Sequence, residues 1–168
     1  MDEVRIVPTG EQYAAGFNAV VDAVARERRY IGFVAGPPLE STREFIRSIL
    51  GGAGVQLLAV NPNDVVVGWC DIVRNPHEGF RHVGRLGMGL LPDYRGRGLG
   101  RQLVAQAVRA ARQAGIERVE LEVFASNERA IALYRALGFA TEGFKRRARK
   151  LDGQYEDNVF MALLGEGL

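Results

Sequence analysis

Apolar and polar positions recur along this chain with two periods, one typical of strands and one of helices. Short runs rich in β-branched residues and bounded by turn residues predict strands. They cover 4–8, 55–60, 65–73, 83–91, 118–125, 140–151 and 154–164. Apolar residues three and four apart predict amphipathic helices. These cover 11–30, 42–50, 99–114 and 128–137.

Residues that favour helix and strand ends separate these segments. Ser41 and Asn127 stand where an N-cap is expected, and Gly115 and Gly138 stand where helices end. Asp152 and Gly153 predict the turn of a closing hairpin. The glycines within 83–91 predict a bulge or the close approach of another backbone.

The order of these elements predicts an α/β fold with a single mixed, mostly antiparallel sheet and helices on both faces. No linker, low-complexity tract or internal repeat divides the sequence. We therefore expect one domain that covers residues 1–168.

Composition narrows the class of protein. The chain is 47% hydrophobic and 25% charged, with a net charge of +2, which does not favour a nucleic-acid partner. The basic run 145–150 alternates between the faces of a strand, so a solvated edge strand explains it. No window approaches the length of a membrane span. The single cysteine, Cys70, and an N-terminus without an apolar leader predict a cytoplasmic protein.

The segment "RGRGLG", residues 95–100, holds the first candidate chemistry. Glycines let a backbone approach a ligand closely, and the helix that follows starts with unpaired amides and a positive dipole end. Three arginines add charge at the same place: Arg95, Arg97 and Arg101. The pattern favours a phosphate or pyrophosphate site over a plain solvent-exposed turn.

Two familiar phosphate loops fit this segment less well. A P-loop requires Lys and then Ser or Thr after its glycines, whereas Arg101 and Gln102 follow here. A Rossmann turn would find an acidic partner in Glu120 or Glu122. Its glycine spacing differs, however, and four residues, 92–95, separate these glycines from the strand. A nicotinamide-dependent oxidoreductase therefore stays an alternative, and a weaker one.

The same segment resembles the first signature of the GCN5-related N-acetyltransferase (GNAT) family, Arg/Gln-x-x-Gly-x-Gly/Ala. Arg95, Gly98 and Gly100 occupy its defining positions. The segment "LEVFASNERAIALYRALGF", residues 121–139, is similar to the second signature: a strand, an asparagine and a helix that ends in Tyr-x-x-x-Gly-Phe. The resemblance extends over roughly 55–164, and more loosely over the N-terminal elements.

The resemblance implies acetyl-coenzyme A as co-substrate. Its pyrophosphate would bind backbone amides in the loop formed by Arg95, Gly96, Arg97, Gly98, Leu99, Gly100 and Arg101. The preceding strand would splay from its neighbour and pair with the pantetheine arm near Leu90 and Leu91. Asn127 would bind the same arm, besides capping its helix.

The resemblance also implies catalytic roles. Tyr134 stands at the family's general-acid position, where it would protonate the leaving thiolate; helical spacing alone favours simple packing with Ile131 and Leu137. Glu122 matches a glutamate that some relatives use as general base, directly or through water. The alternative for Glu122 is a surface residue paired with Arg118 or Arg147.

The sequence defines the acceptor pocket less well than any other part of the predicted site. Six residues are candidates for it: Tyr30, Phe33, Glu40, Trp69, Asp71 and Tyr155. Asp157 is a minor further candidate. His77 and His82 lack metal-ligand spacing, so we expect no metal.

The sequence thus predicts an N-acetyltransferase that moves an acetyl group from acetyl-coenzyme A to a primary amine by direct attack in a ternary complex. The acceptor would be a small molecule or a peptide, with neither nucleic acid nor membrane as partner. An open sheet edge would allow a homodimer. The alternative from another class is a coenzyme A-binding regulatory module without catalysis.

Overall fold

A computed structural model describes residues 3–165, so positions 1, 2 and 166–168 of the predicted domain lie outside it. The described part contains seven strands: β1 Arg5–Pro8, β2 Gly54–Val60, β3 Val66–Arg74, β4 Val83–Leu90, β5 Arg118–Phe124, β6 Ala140–Leu151 and β7 Gln154–Leu164. It also contains four α-helices: α1 Ala14–Arg26, α2 Leu39–Ser48, α3 Leu99–Gln113 and α4 Glu128–Ala136. None of the helices among these residues combines the length and apolarity that crossing a bilayer requires.

The strands form one sheet in the order β1-β2-β3-β4-β5-β7-β6. Strands β4 and β5 are parallel, and every other neighbouring pair is antiparallel. This confirms the predicted mixed, mostly antiparallel sheet. The basic run 145–150 lies on β6, which is an edge strand, as predicted.

The central strands carry apolar side chains on both faces, and helices pack against each face. On β3, Trp69 packs in the cluster formed with α1 and α2, whereas Cys70 and Ile72 pack in the cluster formed with α3 and α4. Cys70 is fully buried, and this burial raises the pKa of its thiol. It therefore behaves as a small apolar residue.

The predicted first helix, 11–30, is too long. A 3-10 turn occupies Glu11–Tyr13, and α1 ends at Arg26. Shortly afterwards, Arg28 adopts a φ of 58°, which is incompatible with a right-handed helix. The chain then turns back over the sheet, and the Gly36 amide donates to the Asp22 carboxylate on α1.

The predicted cap of the second helix is also wrong. Helix α2 starts at Leu39, directly after Pro38, and no side chain caps it. Ser41 therefore lies inside the first turn. The fixed φ of Pro38, −54°, already suits a helix start, so the chain needs no hydroxyl cap at Ser41.

The glycines of β4 do not form the predicted bulge. The pairing with β3 is continuous from Leu90 opposite Gly68 to Gly84 opposite Arg74. Side chains, rather than another backbone, approach these glycines. A Cβ at Gly89 would overlap the ring of Trp69. The glycine thus lets an indole lie flat against the strand.

Candidate active site

Strands β4 and β5 separate along their length. They pair only where Val83–Arg85 lie beside Arg118–Glu120, although β4 continues to Leu90 and β5 to Phe124. A cleft of about 960 Å³ opens between the separated ends and is bordered by the glycine loop, both helix layers and the loop after α1. The predicted splay of the strand before the glycine loop is therefore present.

The glycine loop, which lines this cleft at Gly96, Gly98, Gly100 and Arg101, contains a row of unpaired amides. Gly96 and Gly98 have φ values of 74° and 81°, and α3 begins after Gly98 without a side-chain cap. The first amide of the helix to find a backbone acceptor is that of Gln102, which donates to Gly98. Among residues 3–165, no acceptor meets the amides of 96–101. Six such donors at a helix start form a site for an anion.

Arg129 is a residue that motif reasoning missed. It lies in the first turn of α4 and lines the cleft, and a Cβ at Gly96 would overlap its guanidinium. Arg129 and Arg101 make no ion pair within the described residues, so both cations are available to a ligand beside the amides. In the sequence, Arg129 is recognisable only as an arginine two residues after the Asn127 cap. Its proximity to the glycine loop depends on tertiary packing, which no motif records.

Arg95 has a different environment from the one expected. Its guanidinium is held by Glu27 at 2.6 and 2.9 Å, donates to the Leu90 carbonyl and lies 4.7 Å from the ring centre of Tyr30. The hydrogen bonds that Arg95 donates to the Glu27 carboxylate raise the pKa of Arg95. Its charge is therefore compensated inside the protein, and the free positive charge at the loop comes from other residues.

Asn127 caps α4, as predicted. Its side-chain oxygen accepts from the Ala130 amide at 3.2 Å. Its side-chain nitrogen has no acceptor among residues 3–165, and the residue lines the cleft. The cap thus leaves a donor free for a ligand.

Tyr134 extends from α4 into the cleft. Its ring is buried and packs on Phe139 with a centroid distance of 5.6 Å. Its hydroxyl finds no hydrogen-bond partner in the described part of the chain. Burial, with a smaller contribution from Cys70, raises the pKa of this phenol. Tyr134 is therefore protonated at neutral pH and can donate.

Glu122 lies on β5 in a network of cations and amides. Its carboxylate accepts from Lys145 at 2.6 Å and from Asn158 at 3.0 Å, and it lies 3.6 Å from Arg85. Burial raises its pKa, but these hydrogen bonds and charges together leave the pKa below its ordinary value. Pairing with Arg118 or Arg147 was the wrong expectation, because Arg118 binds Glu120 and Glu142 instead.

Asp71 lies on β3 and also lines the cleft. Burial raises the pKa of its carboxyl to about 7, against a smaller lowering by a hydrogen bond from Gln56. Asp71 forms no ion pair within residues 3–165. The cleft therefore contains two carboxyls with opposite shifts in proton affinity, on Asp71 and Glu122.

Aromatic side chains line part of the cleft. Tyr30, Phe33 and Trp69, which the sequence suggested for an acceptor pocket, are among them, and so are Phe45 and Phe124. Trp69 is itself buried and meets Phe17 edge-on at 5.8 Å. The result is an apolar wall that faces the carboxyls.

The tip of the β6–β7 hairpin contacts the segment that follows α1. Arg28, which follows α1, binds the carboxylate of Asp152 at 2.8 and 3.1 Å. Arg149 donates to the Arg28 carbonyl at 3.4 Å, and its guanidinium lies 4.0 Å from the ring centre of Phe124. We call this set of contacts the bridge.

Five predicted site residues lie away from the cleft lining. Arg97 is exposed, and Leu99 is buried in the core. The amide of Leu91 is used within the sheet, where it donates to Val67. Glu40 is exposed and paired with Arg43 and Arg47. Tyr155 is exposed against Arg147 and Lys150.

A metal centre has no counterpart in the described residues. Among residues 3–165, no three histidine, cysteine, aspartate or glutamate side chains gather as a ligand set. The site consists of amides, cations, carboxyls, aromatic rings and the phenols of Tyr30 and Tyr134.

A split mixed sheet with an anion-binding helix start beside the split defines the N-acetyltransferase fold. The family model for the acetyltransferase (GNAT) family matches residues 24–139, and the chain belongs to this family. A GNAT-family acetyltransferase from Streptococcus pneumoniae superposes with a TM-score of 0.90 at 27% identity, over 96% of this chain and 99% of that one.

Two curated relatives share part of the chain. An L-amino acid N-acyltransferase of Escherichia coli is 29% identical over 112 residues, 66% of this chain and 65% of the relative. The alanine N-acetyltransferase of ribosomal protein bS18 from the same organism is 40% identical over 72 residues, 43% of this chain and 49% of the relative. The chain thus spans 65% of the first relative and 49% of the second.

Proposed function

We propose that this protein transfers an acetyl group from acetyl-coenzyme A to a primary amine. The observation that carries the proposal is the row of six unpaired amides, 96–101, at the point where the cleft enters the sheet. A pyrophosphate satisfies such donors, and a linear arm attached to it follows the free edge of β4 into the cleft.

Several neighbouring groups support acetyl-coenzyme A as the acetyl donor. Arg101 and Arg129 flank the amides with uncompensated charge, and the side-chain nitrogen of Asn127 faces the same cleft. Solved structures of the same fold from Salmonella typhimurium and Sinorhizobium meliloti contain acetyl-coenzyme A.

Tyr134 is the proposed general acid. When an amine attacks the thioester, the carbon–sulfur bond breaks and the sulfur leaves as a thiolate that needs a proton. The Tyr134 hydroxyl is protonated, without a partner and inside the cleft. Cys70 is a poor covalent nucleophile because its buried thiol resists ionisation, which favours direct transfer.

The acceptor amine must lose a proton during attack. The family resemblance assigns this proton to Glu122 or to a water that Glu122 orders. The ion pairs of Glu122 with Lys145 and Arg85 hold it ionised but lower its proton affinity, which supports action through water over direct abstraction.

The acceptor is proposed to be a small amine or the amino end of a peptide. The aromatic wall suits an apolar body, and the carboxyls of Asp71 and Glu122 suit a cationic amino group. One relative is named for L-amino acids and another for the alanine of a ribosomal protein, which supports both kinds of acceptor.

Binding and turnover test the proposal in two stages. Thermal shift is measured with acetyl-coenzyme A, NADH and NADPH. Ligand at 100 times its Kd adds about 2.7 kcal/mol, which is roughly 5–10 °C here. We expect a shift with acetyl-coenzyme A alone. A shift with a dinucleotide alone would instead indicate an oxidoreductase.

Thiol release is then measured with a panel of L-amino acids, spermidine and a short peptide that begins with alanine. We expect amine-dependent release with at least one of them. Binding of acetyl-coenzyme A without turnover on any amine would support the coenzyme A-binding regulatory module.

A further inference from the structure

The environment of Asp71 differs from that of every other carboxyl on the cleft face of the sheet. Its neighbour on β4 is Gly87, and its neighbour on β2 is Gln56. A Cβ at Gly87 would lie 3.3 Å from the Asp71 carboxylate, so the glycine leaves that side of the carboxylate uncovered. Asp71 therefore faces the cleft directly although it lies within the sheet.

The helices opposite Asp71 offer it no charged partner. Their cleft residues are Phe17 and Val21 from α1 and Ser41, Thr42 and Phe45 from α2. The loop after α1 adds Arg29 and Tyr30 at the cleft margin. Within the described residues, none of these groups makes a hydrogen bond or an ion pair to Asp71.

The charged residues on the neighbouring strands compensate one another. Arg85 of β4 and Glu122 of β5 lie 3.6 Å apart, and Lys145 of β6 completes that group. Cys70 precedes Asp71 but points to the opposite face of the sheet. Asp71 is thus an uncompensated carboxyl beside an apolar wall, where desolvation raises its proton affinity.

We infer that Asp71 is the group that takes the proton from the attacking amine, and that Gln56 positions it. The inference rests on the proposed function. It assigns to Asp71 the role that the family resemblance gives to Glu122. The two carboxyls then have different roles. Glu122 holds Arg85, Lys145 and Asn158 in place, and Asp71 accepts and releases a proton.

The chemical step balances with Asp71 and Tyr134 alone. The amine nitrogen bonds to the thioester carbon, the carbon–sulfur bond breaks, and the nitrogen loses one proton to the Asp71 carboxylate. The sulfur takes one proton from Tyr134 and leaves as a thiol. Solvent exchange then removes the proton from Asp71 and returns one to Tyr134.

Gln56 suits a carboxyl that changes its protonation state. It is 3% exposed, and its side-chain nitrogen lies 3.5 Å from Asp71 Oδ2, a long hydrogen bond to the ionised form. Its Oε1 is buried and finds no partner among residues 3–165. With the amide rotated, that oxygen accepts from a protonated Asp71. One side chain thus serves both states.

The test is the pH dependence of acetyl transfer to the panel amine with the highest kcat/KM. In the wild type, kcat/KM should rise through a limb near pH 7, because burial raises the pKa of Asp71 to about 7. We expect Asp71→Asn to lower kcat about 100-fold or more and to remove this limb, with the Kd for acetyl-coenzyme A changed less than threefold. Asp64→Asn, the same change at an exposed carboxyl paired with Arg5, should match the wild type.

A second variant separates a catalytic role from a structural one. Gln56→Met keeps the side-chain size but removes the donor that lowers the pKa of Asp71. The limb should therefore move to higher pH, and kcat above the limb should fall by less than in Asp71→Asn, because Asp71 is present but less well held. This readout applies even where Asp71→Asn fails to fold, and a purely structural role of Gln56 would not move the limb.

Each remaining result is decisive. The inference is overturned if Asp71→Asn keeps near-wild-type kcat and an intact limb. It is also overturned if the limb disappears in Glu122→Gln but persists in Asp71→Asn. An unmoved limb in Gln56→Met overturns the role of Gln56. A wild type that binds acetyl-coenzyme A but transfers to no panel amine refutes the proposed function, and the inference with it.

Discussion

Arg95 and Glu27 form a two-point ion pair that joins the glycine loop to the end of α1. The guanidinium and the carboxylate meet at 2.6 and 2.9 Å, and their side chains are only 20% and 25% exposed. The same guanidinium binds the last carbonyl of β4 and stacks on Tyr30. One side chain therefore connects the glycine loop, the end of β4 and the aromatic wall of the cleft.

Replacing Arg95 with Lys should loosen both sides of the site. Lysine keeps the charge but cannot reproduce a planar fork or its stacking. We expect KM to rise for acetyl-coenzyme A and for the amine, and the free energy of unfolding to fall by about 1–3 kcal/mol, between the values for surface and buried pairs. Urea unfolding and initial rates measure these effects. Arg97→Lys, in the same loop but exposed, is the control; equal losses in both variants would contradict the connection.

Gly98 should resist any side chain. At a φ of 81°, an L-residue is disfavoured by about 1–2 kcal/mol, which corresponds to roughly 2–8 °C in Tm for a chain of this size. Gly98→Ala should show that loss and should weaken acetyl-coenzyme A binding, because the amides shift. Gly79→Ala, at an open position without positive φ, should change neither. Differential scanning fluorimetry and a binding titration distinguish the two outcomes.

Arg129 should contribute to donor binding without contributing to stability. It makes no ion pair within residues 3–165 and adjoins the unpaired amides. Loss of one charge-assisted bond costs about 1.5–3 kcal/mol, so Arg129→Gln should raise the Kd for acetyl-coenzyme A about 10- to 100-fold. It should also flatten the salt dependence of binding. Arg135→Gln, in the last turn of the same helix, should leave the Kd unchanged.

Tyr134→Phe should separate catalysis from binding. The ring and its contact with Phe139 remain, and only the hydroxyl is lost. We expect kcat to fall about 100- to 10,000-fold, the range for loss of a general acid, with the Kd for acetyl-coenzyme A and the Tm almost unchanged. Unchanged kcat would exclude Tyr134 as the acid. Tyr155→Phe, at the exposed hairpin, is the matched control.

Stability against pH should show the cost of ionising Asp71. Its pKa rises from 3.8 to about 7 on folding, so the folded protein binds the proton more tightly than the unfolded chain does. The penalty is absent below pH 3.8, grows as pH rises, and is complete above about 7, with an upper limit of about 4 kcal/mol. Asp71→Asn should therefore be more stable than the wild type at pH 8 and similar to it at pH 4. Chemical unfolding at both pH values measures this, and a difference independent of pH would contradict it.

The fold was largely readable from the sequence because its elements carry strong local signals. Strand and helix periods placed β1–β7 and α1–α4, and Asn127 and Gly138 marked helix ends that the structure contains. The errors occurred where tertiary contacts override local preference. Pro38 starts α2 before Ser41, and the β4 glycines make room for side chains.

The candidate site was readable only where it is contiguous in sequence. The anion site at 96–101 was predictable because the glycines and the helix start are adjacent in the sequence. Arg129 and Gln56 gave no comparable signal, because each acquires its role from a residue far away in the sequence. Arg95 matched its motif position, yet its partner Glu27 lies 68 residues earlier and belongs to no motif.

The bridge between Arg28 and Asp152 ties the tip of the β6–β7 hairpin to the segment after α1, two parts of the chain 124 residues apart. Under the proposed function, a hairpin fixed in this way would limit the bulk of the acceptor that reaches the site. Free amino acids and loose chain termini would then enter more readily than a lysine held flat against a folded surface.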